Sequence, residues 1–469
     1  MSPARHPILL VAKSVTLMLL LSVIAARADD GLFLTEQQAR EELKLVVDAI
    51  REHHPSPYHA STEEQFEREV KALEQRKGRV PVVRQYFDLM KISSLVFDTH
   101  TQFHITGETP GFEVSFPLRF RLFPDGLYII AGDNGYRDAI GKKVVAVGGT
   151  PTMDIVERLS HHSPADNWPR KRVFAEIFFY MPETYEYLGL TGADGAVELE
   201  LISSDGTPSK LQLSHTWDKG YADFSWDTQN PFIPTGLVTV HQALDGQLPF
   251  YLQSLDNNYW YQFLDAEKKY LYLQINQQFD KSEGQAAIEF HLEWARQLLD
   301  ANTEVMIVDL RNDPGGTVNV ANPLPALLSE IYFDHPTMRG VAVLFGTDTV
   351  SAGTIILGQF EDTIRPVFIG QPSGSSPNMY LNGLKQILPY SQLQFEVSSD
   401  VFVSTREADT RAYVAPDIPM ALSFEDYLRG NDPLIDYAKT INKELRSNIY
   451  KSASPYDPWQ RESQKEALR

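Results

Sequence analysis

The sequence predicts a layered α/β core in its C-terminal half, preceded by a helical segment and a β-rich module. From Lys268 onward, short apolar runs typical of buried strands alternate with amphipathic helical patterns. Before that point, apolar residues repeat at helical spacing up to about residue 98 and at strand spacing from about 111 to 204. A chain of 469 residues with 43% hydrophobic residues can bury several cores, so we expect two or three domains.

The first 28 residues are typical of an export signal. Arg5 and Lys13 precede an apolar block from Ser14 to Ala26, and Ala26-Arg27-Ala28 offers the small residues of a cleavage site. The block is shorter than the roughly 20 apolar residues that a membrane-spanning helix requires. We therefore expect cleavage before Asp29, an exported product (periplasmic or secreted) and no stable membrane span.

The composition argues against several classes of function. The absence of cysteine excludes disulfides, thiol catalysis and cysteine-based zinc sites. A net charge of −20 argues against nucleic acid or anionic lipid as a partner. The pairs His53-His54 and His161-His162 lack a carboxylate at ligand spacing, so neither a metal nor a cofactor is expected, and the first pair is interpreted as a solvated helix end.

The apolar patterns divide the chain into six segments. They are a signal peptide (1–28), a helical domain (29–110), a β-rich module (111–215), an irregular insertion or linker (216–262), an α/β core (263–445) and a tail (446–469). The order of strands and helix in the β-rich module weakly resembles the middle of a PDZ domain, which binds peptides by adding a strand. A purely structural module explains the pattern equally well.

Within the core, the predicted elements alternate in type. They are a strand at 270–274, a helix at 284–299, a strand at 305–308, a leucine-bearing helix, a strand at 341–345, a helix beginning at Ser351 and a strand at 365–369. In the first of these helices, one apolar face is predicted to consist of Ile288, Leu292, Ala295 and Leu298.

Two residues are candidates for catalysis. Ser351 lies at the step from a turn to a helix, where free N–H groups and the helix dipole favour a developing oxyanion, so it is a candidate nucleophile. The alternative is that Ser351 only caps the helix. His100 lies between a helix and an extended segment, and its neighbours Asp98, Thr99 and Thr101 could hold its tautomer. It is a candidate general base, although a lone histidine is usually structural.

Three elements in this order resemble the tail-specific (carboxyl-terminal-processing) serine peptidases. They are Asp-Leu-Arg-Asn-Asp-Pro-Gly-Gly at 309–316, Ser351 on its strand-turn-helix, and Val-Ala-Pro-Asp-Ile at 414–418. That superfamily also includes the tricorn core and the interphotoreceptor retinoid-binding repeats. The resemblance covers nearly the whole mature chain. It implies a Clp protease/crotonase-like core with an N-terminal helical cap and a small β-rich PDZ-like module. The implied activity is that of a serine endopeptidase acting on peptides or proteins.

The resemblance carries over residue by residue, with departures. In members with a serine–lysine dyad the lysine follows the serine by 25 residues, and here that position is Ser376; Lys385 is offset by nine. The histidine of the tricorn-like branch matches His100, with Thr99 in place of the usual glycine. Gln371 stands where related sequences commonly have glutamate.

The expected roles follow from this match. Ser351 attacks a carbonyl, and His100 accepts its proton and returns it to the leaving amine. The expected oxyanion donors are the backbone N–H groups of Ala352 and Gly316, with Gly315 as the alternative to Gly316.

Some points stay open at the level of sequence. The group that orients the histidine is Thr99, Glu407 or Asp409. A second function class is a noncatalytic relative that binds peptide or lipid, because Thr99 and Gln371 depart from the pattern. A third is an esterase of the α/β-hydrolase type, but Thr349 stands where the Gly-x-Ser-x-Gly elbow requires glycine.

Overall fold

The computed structural model describes residues 32–193, 195–214, 216–217, 236–279, 287–406 and 408–452. The predicted signal peptide, much of the predicted insertion, Glu407 and most of the predicted tail lie outside these ranges. Across the ranges that are described, no helix is both long enough and apolar enough to cross a membrane.

The N-terminal segment is helical, as its periodicity predicts. Its helices are α1 (Glu36–His53), α2 (Glu63–Glu74) and α3 (Val82–Ser94). Thr35 and Thr62 each form a capping box that starts α1 and α2. A two-stranded sheet of β1 (Phe33–Leu34) and β2 (Val80–Pro81) closes the segment. After α3 the chain turns at Phe97, which has a positive φ of 55°, and enters β3 (Gln102–His104).

The β-rich module follows. Its strands are β4 (Leu118–Phe123), β5 (Gly126–Gly132), β6 (Lys143–Val147), β7 (Thr150–Pro151), β8 (Val197–Ile202), β9 (Pro208–Leu213) and β10 (Val238–Thr239). Their order is β10-β5-β6-β8-β9, with β4 on β5 and β7 on β6. The module's helices are α4 (Thr152–Ser160), α5 (Trp168–Phe174) and α6 (Pro182–Leu188). A short helix, α7 (Val240–Ala243), follows β10.

The described part of the predicted insertion contains two short strands. Its strand β10 completes one edge of the module's sheet through β5, and β11 (Tyr259–Phe263) pairs with the core sheet. This segment therefore connects the two sheets and contributes a strand to each. Its high content of Trp and Tyr masks the alternation that would have revealed these short strands.

The core is a mixed sheet that begins with β11. Its further strands are β12 (Tyr270–Ile275), β13 (Val305–Asp309), β14 (Gly340–Phe345), β15 (Val367–Gly370) and, after four strands described below, β20 (Ile418–Pro419). Their order in the sheet is β11-β12-β13-β14-β15-β20. All neighbours are parallel except β11 and β12. The helices α8 (Ala287–Leu299), α9 (Pro323–Asp334) and α10 (Ala352–Asp362) share one apolar core with the sheet. On the other face the sheet packs with α12 (Pro433–Ala438), which follows α11 (Phe424–Arg429). Both faces are covered, as the continuous apolar run of β13 predicts.

The predicted buried face of α8 is wrong in part. Ile288 is 48% exposed and Leu292 is 39% exposed, although Ala295 and Leu298 are buried as predicted. The helix is turned so that its aromatic residues face the sheet, and Trp294 is fully buried. The larger apolar surface of the aromatic side chains outweighs that of the two aliphatic ones.

The segment after β15 forms two small sheets, and the first of them includes a strand of the helical cap. In one, β3 pairs with β18 (Gln394–Val397), which pairs with β17 (Leu384–Ile387). The other consists of β16 (Met379–Leu381) and β19 (Asp400–Phe402). Because β3 begins two residues after His100, its pairing with β18 holds the end of the cap against the core.

Candidate active site

Ser351 lies on a strained turn between β14 and α10. Its backbone has φ 50° and ψ −125°, a conformation that non-glycine residues rarely adopt. Its N–H donates to the hydroxyl of Ser375 (3.1 Å), and its own hydroxyl makes no capping bond to the helix. The alternative that Ser351 serves only as an N-cap is therefore wrong. Such strain persists where the surroundings impose it and is concentrated at functional sites.

His100 reaches Ser351 across the fold. Its Nε2 lies 3.1 Å from Ser351 Oγ, although the two residues are 251 positions apart. The side chain of His100 is 22% exposed, so the pair is open to a substrate on one side. This distance is within the range expected of a nucleophile and its general base.

Asp98 is the carboxylate that faces the other ring nitrogen of His100. Its Oδ1 is 3.8 Å from His100 Nδ1 and accepts the backbone N–H of His100 at 2.9 Å. Its Oδ2 accepts the hydroxyl of Thr101 at 2.6 Å. Burial opposes protonation of His100, but the nearby Asp98 carboxylate outweighs it and raises the pKa of His100 above its usual value. The same contacts hold the pKa of the buried Asp98 well below its usual range, although burial alone would raise it.

His54 corrects the interpretation of the first histidine pair as a solvated helix end. It is only 4% exposed, and its Nε2 lies 3.3 Å from Asp98 Oδ2. Its Nδ1 accepts the N–H of Ser56 at 3.1 Å. Its ring also packs against Tyr380, with centroids 4.4 Å apart. Asp98 is thus enclosed between two histidines.

The other candidates for orienting the histidine make different contacts. Thr99 donates its hydroxyl to Asp166, away from the imidazole. The carboxylate of Asp409 binds Arg411 and Thr405. Glu407 lies outside the described residues. Asp98 is instead the carboxylate beside Nδ1 of His100, at 3.8 Å. Its position two residues before the histidine is the signal in the sequence that points to it.

Asp166, from the loop before α5, joins the histidine loop to the core. Its Oδ1 accepts the N–H and the hydroxyl of Thr99 (2.8 and 2.6 Å), and its Oδ2 accepts the N–H of Ser376 (2.7 Å). The adjacent Asn167 donates to the backbone oxygens of Ser373 and Ala412. Burial, together with the charge of Asp98, raises the pKa of Asp166. No local pattern in the sequence marks this residue.

The oxyanion donors of the sequence analysis lie together beside the serine. A Cβ on Gly315, whose φ is 101°, would lie 2.8 Å from the nitrogen of Ala352 and 3.2 Å from Ser351 Oγ. The N–H of Gly315 is occupied, because it donates to Asp313 Oδ1 at 2.9 Å. Within the described residues, the N–H groups of Gly316 and Ala352 donate to no acceptor. The geometry therefore favours Gly316 over Gly315 as the partner of Ala352.

Asp313 holds the loop that contains Gly315 and Gly316, which we call the glycine loop. Besides Gly315 it accepts the side-chain amide of Gln278 at 2.8 Å, and its backbone oxygen accepts the N–H of Val350 at 3.1 Å. Asp313 is fully buried, and burial raises its pKa to about 7. It fixes the glycine loop and the turn before Ser351 relative to each other.

The positions at which the sequence departs from the tail-specific peptidases that it resembles lie in different parts of the structure. Lys385, on β17, has a side chain that is 58% exposed and lies 3.5 Å from Glu396. Ser376, at the position of the dyad lysine, donates its hydroxyl to the backbone oxygen of Ala412. Gln371 lines a cleft between the β-rich module and the core.

The described residues contain no group of three or more histidine, aspartate or glutamate side chains arranged to hold a metal ion. A serine beside a histidine, with two free N–H groups of which one is at a helix N-terminus, can form and break an acyl bond.

Comparison with known proteins gives the fold. No protein-family model matches the chain, and no curated protein matches it significantly in sequence. The chain is similar to mature CPAF complexed with lactacystin, at 13% identity and a TM-score of 0.58, over 89% of this chain and 99% of that one. A second structure of mature CPAF gives 14% identity and a TM-score of 0.55, over 90% and 99%. The photosystem II D1 C-terminal processing protease matches at 12% identity and a TM-score of 0.37, over 84% and 98%. The mixed α/β architecture that the resemblance implied is thus confirmed, and the chain has the fold of CPAF.

Proposed function

We propose that the chain is an exported serine peptidase that hydrolyses peptide bonds in peptides or proteins through an acyl-enzyme. The observation that carries this proposal is the 3.1 Å approach of His100 Nε2 to Ser351 Oγ. The likeness to CPAF, a fold shared over most of both chains, supports it. The apolar block and cleavage motif of the first 28 residues support export.

In the first half of the reaction, Ser351 Oγ attacks the carbonyl carbon of the scissile bond while His100 Nε2 takes the hydroxyl proton. The resulting oxyanion accepts hydrogen bonds from the N–H groups of Gly316 and Ala352. The carbon–nitrogen bond then breaks, and the proton on His100 passes to the leaving amine. Removing one oxyanion donor typically costs about 100- to 1000-fold in rate.

In the second half, a water molecule attacks the ester of Ser351, and His100 removes a proton from that water. Collapse of the second tetrahedral intermediate releases the carboxylate product and returns the proton to Ser351. In both halves the positive charge on His100 develops next to Asp98, whose carboxylate stabilises it.

The proposal is tested by covalent labelling of the mature chain with a fluorophosphonate probe, together with digestion of casein. We expect the wild type to be labelled and to cleave casein, and Ser351→Ala to do neither. The exposed Ser204 offers a matched control, because Ser204→Ala leaves the site intact.

The outcomes separate the alternatives. Absence of labelling in the wild type would favour the noncatalytic relative that binds peptide or lipid. Labelling and hydrolysis of short esters without cleavage of any peptide would favour another kind of hydrolase. Recovery of an exported chain that still begins at Met1 would contradict the proposed maturation before Asp29.

A further inference from the structure

A cleft of about 620 Å³ opens between the helical cap and the β-rich module, away from Ser351. Its walls come from α2, α3, α4, α5 and α6. We call it the basic cleft after the basic side chains that line it, which are Arg68, Arg84, Lys91, Arg158 and Lys171. A volume of this size suits a small molecule.

The charge of the basic cleft is opposite to that of the chain. The chain carries a net charge of −20, yet the cleft lining holds five basic side chains and one carboxylate, Glu69. Lys91 pairs with Glu69 at 2.7 Å, and Arg84 pairs with Asp88 at 3.3 Å.

Two of the arginines are not neutralised, because Arg68 and Arg158 form no ion pair with any described carboxylate. Lys171 adds little charge at neutral pH, because burial lowers its pKa to about 7. Arg158 donates only to the backbone oxygen of Leu188, at 3.3 Å. Two unpaired arginines beside two paired cations give the cleft a positive potential, which attracts anions.

An independent feature of the wall also indicates a ligand. Trp168 lines the cleft and is only 5% exposed, yet its indole N–H has no hydrogen-bond partner among the described residues. A buried donor left unpaired is costly, so such groups usually have a partner. An acceptor in the cleft would satisfy it.

We propose that the basic cleft is a binding site for a small polyanion, one that bears phosphate or several carboxylate groups. Arginine presents a planar fork of donors that matches phosphate and carboxylate oxygens in pairs. Arg84 is held in place over the ring of Tyr187, 5.0 Å from its centroid, which orders one such fork before any ligand arrives. His161 and His162 add no charge at neutral pH, because burial lowers the pKa of both.

The floor of the basic cleft touches the segments that hold His100. Lys171 donates to Ser94 Oγ, near the end of α3, and its Nζ lies 3.8 Å from the ring centroid of Phe97. Phe97 directly precedes Asp98, and Trp168 follows Asp166 by two residues. A bound anion would therefore lie beside residues that adjoin both ends of the network around Thr99. That coupling depends on the proposed peptidase function, whereas binding itself does not.

Binding is tested on the mature chain by isothermal titration calorimetry at constant ionic strength, with inorganic pyrophosphate in one arm and citrate in the other. We expect at least one of them to bind saturably at one site, with affinity reduced by about tenfold in Arg68→Gln and in Arg158→Gln. Saturation by pyrophosphate alone identifies a phosphate site, and saturation by citrate alone identifies a carboxylate site.

The matched control is Arg296→Gln, which removes an exposed arginine on α8 and should leave affinity unchanged. Because Arg68 and Arg158 are exposed, neither substitution disturbs a core. The proposal is overturned if neither anion binds saturably, or if both cleft variants bind as tightly as the wild type. A protein that binds the anion but cleaves no peptide would leave the site standing and refute only the proposed peptidase.

Discussion

Thr99 donates both its backbone N–H and its hydroxyl to one oxygen of Asp166, at 2.8 and 2.6 Å. Asp166 comes from the β-rich module, and its other oxygen accepts the N–H of Ser376 from the core. The buried carboxyl of Asp166 therefore fixes the position of the residue before His100 relative to the segment that follows α10. The threonine that replaces the usual glycine forms this link with its side chain.

We expect Thr99→Val to lower kcat by about tenfold with little change in KM. Valine keeps the shape and the backbone N–H but removes the hydroxyl, so the histidine loop loses one of its bonds to Asp166. Steady-state kinetics on a fluorogenic peptide would measure this. Thr363→Val removes an exposed hydroxyl that bonds only to Gln359 and is the control. A Thr99→Val enzyme with wild-type kcat would show that the link does not position His100.

The rise of kcat/KM with pH on the acidic side of its optimum should depend on Asp98. Since the Asp98 carboxylate raises the pKa of His100, the base becomes available only above the usual histidine value of about 6.5. We expect kcat/KM to rise with pH through a midpoint above 6.5, and Asp98→Asn to move that midpoint down. The same change should lower kcat by roughly 100- to 10,000-fold, because the amide cannot stabilise the imidazolium.

The control for that profile is Asp256→Asn, which alters an exposed carboxylate. It should leave both the midpoint and the rate unchanged. If Asp98→Asn keeps the wild-type midpoint, then Asp98 does not set the pKa of His100.

Asp313 should make stability depend on pH. Burial raises its pKa to about 7 from a usual value near 3.8. A carboxyl with a raised pKa in the folded state contributes its full stability below about pH 4 and loses it as pH rises through about 7. We therefore expect Asp313→Asn to raise the melting temperature more at pH 8 than at pH 5. The asparagine oxygen can still accept from Gly315, and Gln278 has a side-chain oxygen without a partner that can turn to accept the new amide.

Thermal unfolding at the two pH values measures this, with Asp256→Asn as the reference. Equal shifts in melting temperature at pH 5 and pH 8 would show that Asp313 does not titrate in this range.

Gly315 should tolerate no side chain. Its φ of 101° is strained for any other residue, and a Cβ would lie 2.8 Å from the nitrogen of Ala352. We expect Gly315→Ala to lower kcat/KM by about 100-fold or more, because the added methyl group enters the oxyanion site. Gly149→Ala imposes similar strain, since its φ is 77°, but its Cβ meets nothing within 4 Å. That variant should lose some stability and keep its activity. If both variants are equally active, the proposed oxyanion site is wrong.

The parts of the site that sequence predicted are those with a local signature. Ser351 follows an apolar strand and opens a helix, and His100 ends a helix among small polar residues, so short patterns identify both. The glycine pair at 315–316 follows a buried strand in the same way. Nothing in those patterns tells which of the two glycines donates, because that depends on where Asp313 directs its carboxyl.

The parts that sequence did not predict depend on contacts between distant segments. Asp166 is an ordinary loop aspartate until the fold brings it to Thr99 and Ser376. His54 looks like a helix end in water, but the fold buries it against Tyr380 and Asp98. Helical periodicity likewise predicted α8 but not which of its faces is buried. The pattern of apolar residues alone does not favour Trp294 over Ile288 for the buried face.

Ser351 and His100 should lose their function together. We expect Ser351→Ala and His100→Ala each to remove nearly all peptidase activity, and the double variant to be hardly worse than either. Residues that act on the same proton transfer do not contribute additively, so the second substitution removes nothing that remains. The measurement is kcat/KM on one peptide substrate for all four forms.

Lys385→Ala is the matched control for that cycle. Its ammonium contacts Glu396 on the small sheet, and it should retain most of the rate. A third variant, His104→Ala, removes the other partner of Glu396 and should behave in the same way. An enzyme that keeps near-wild-type activity as His100→Ala but loses it as Lys385→Ala would show that the base is the lysine. In that case the 3.1 Å contact between His100 and Ser351 would be structural. A residue whose removal leaves the rate unchanged does not accept the proton of the nucleophile.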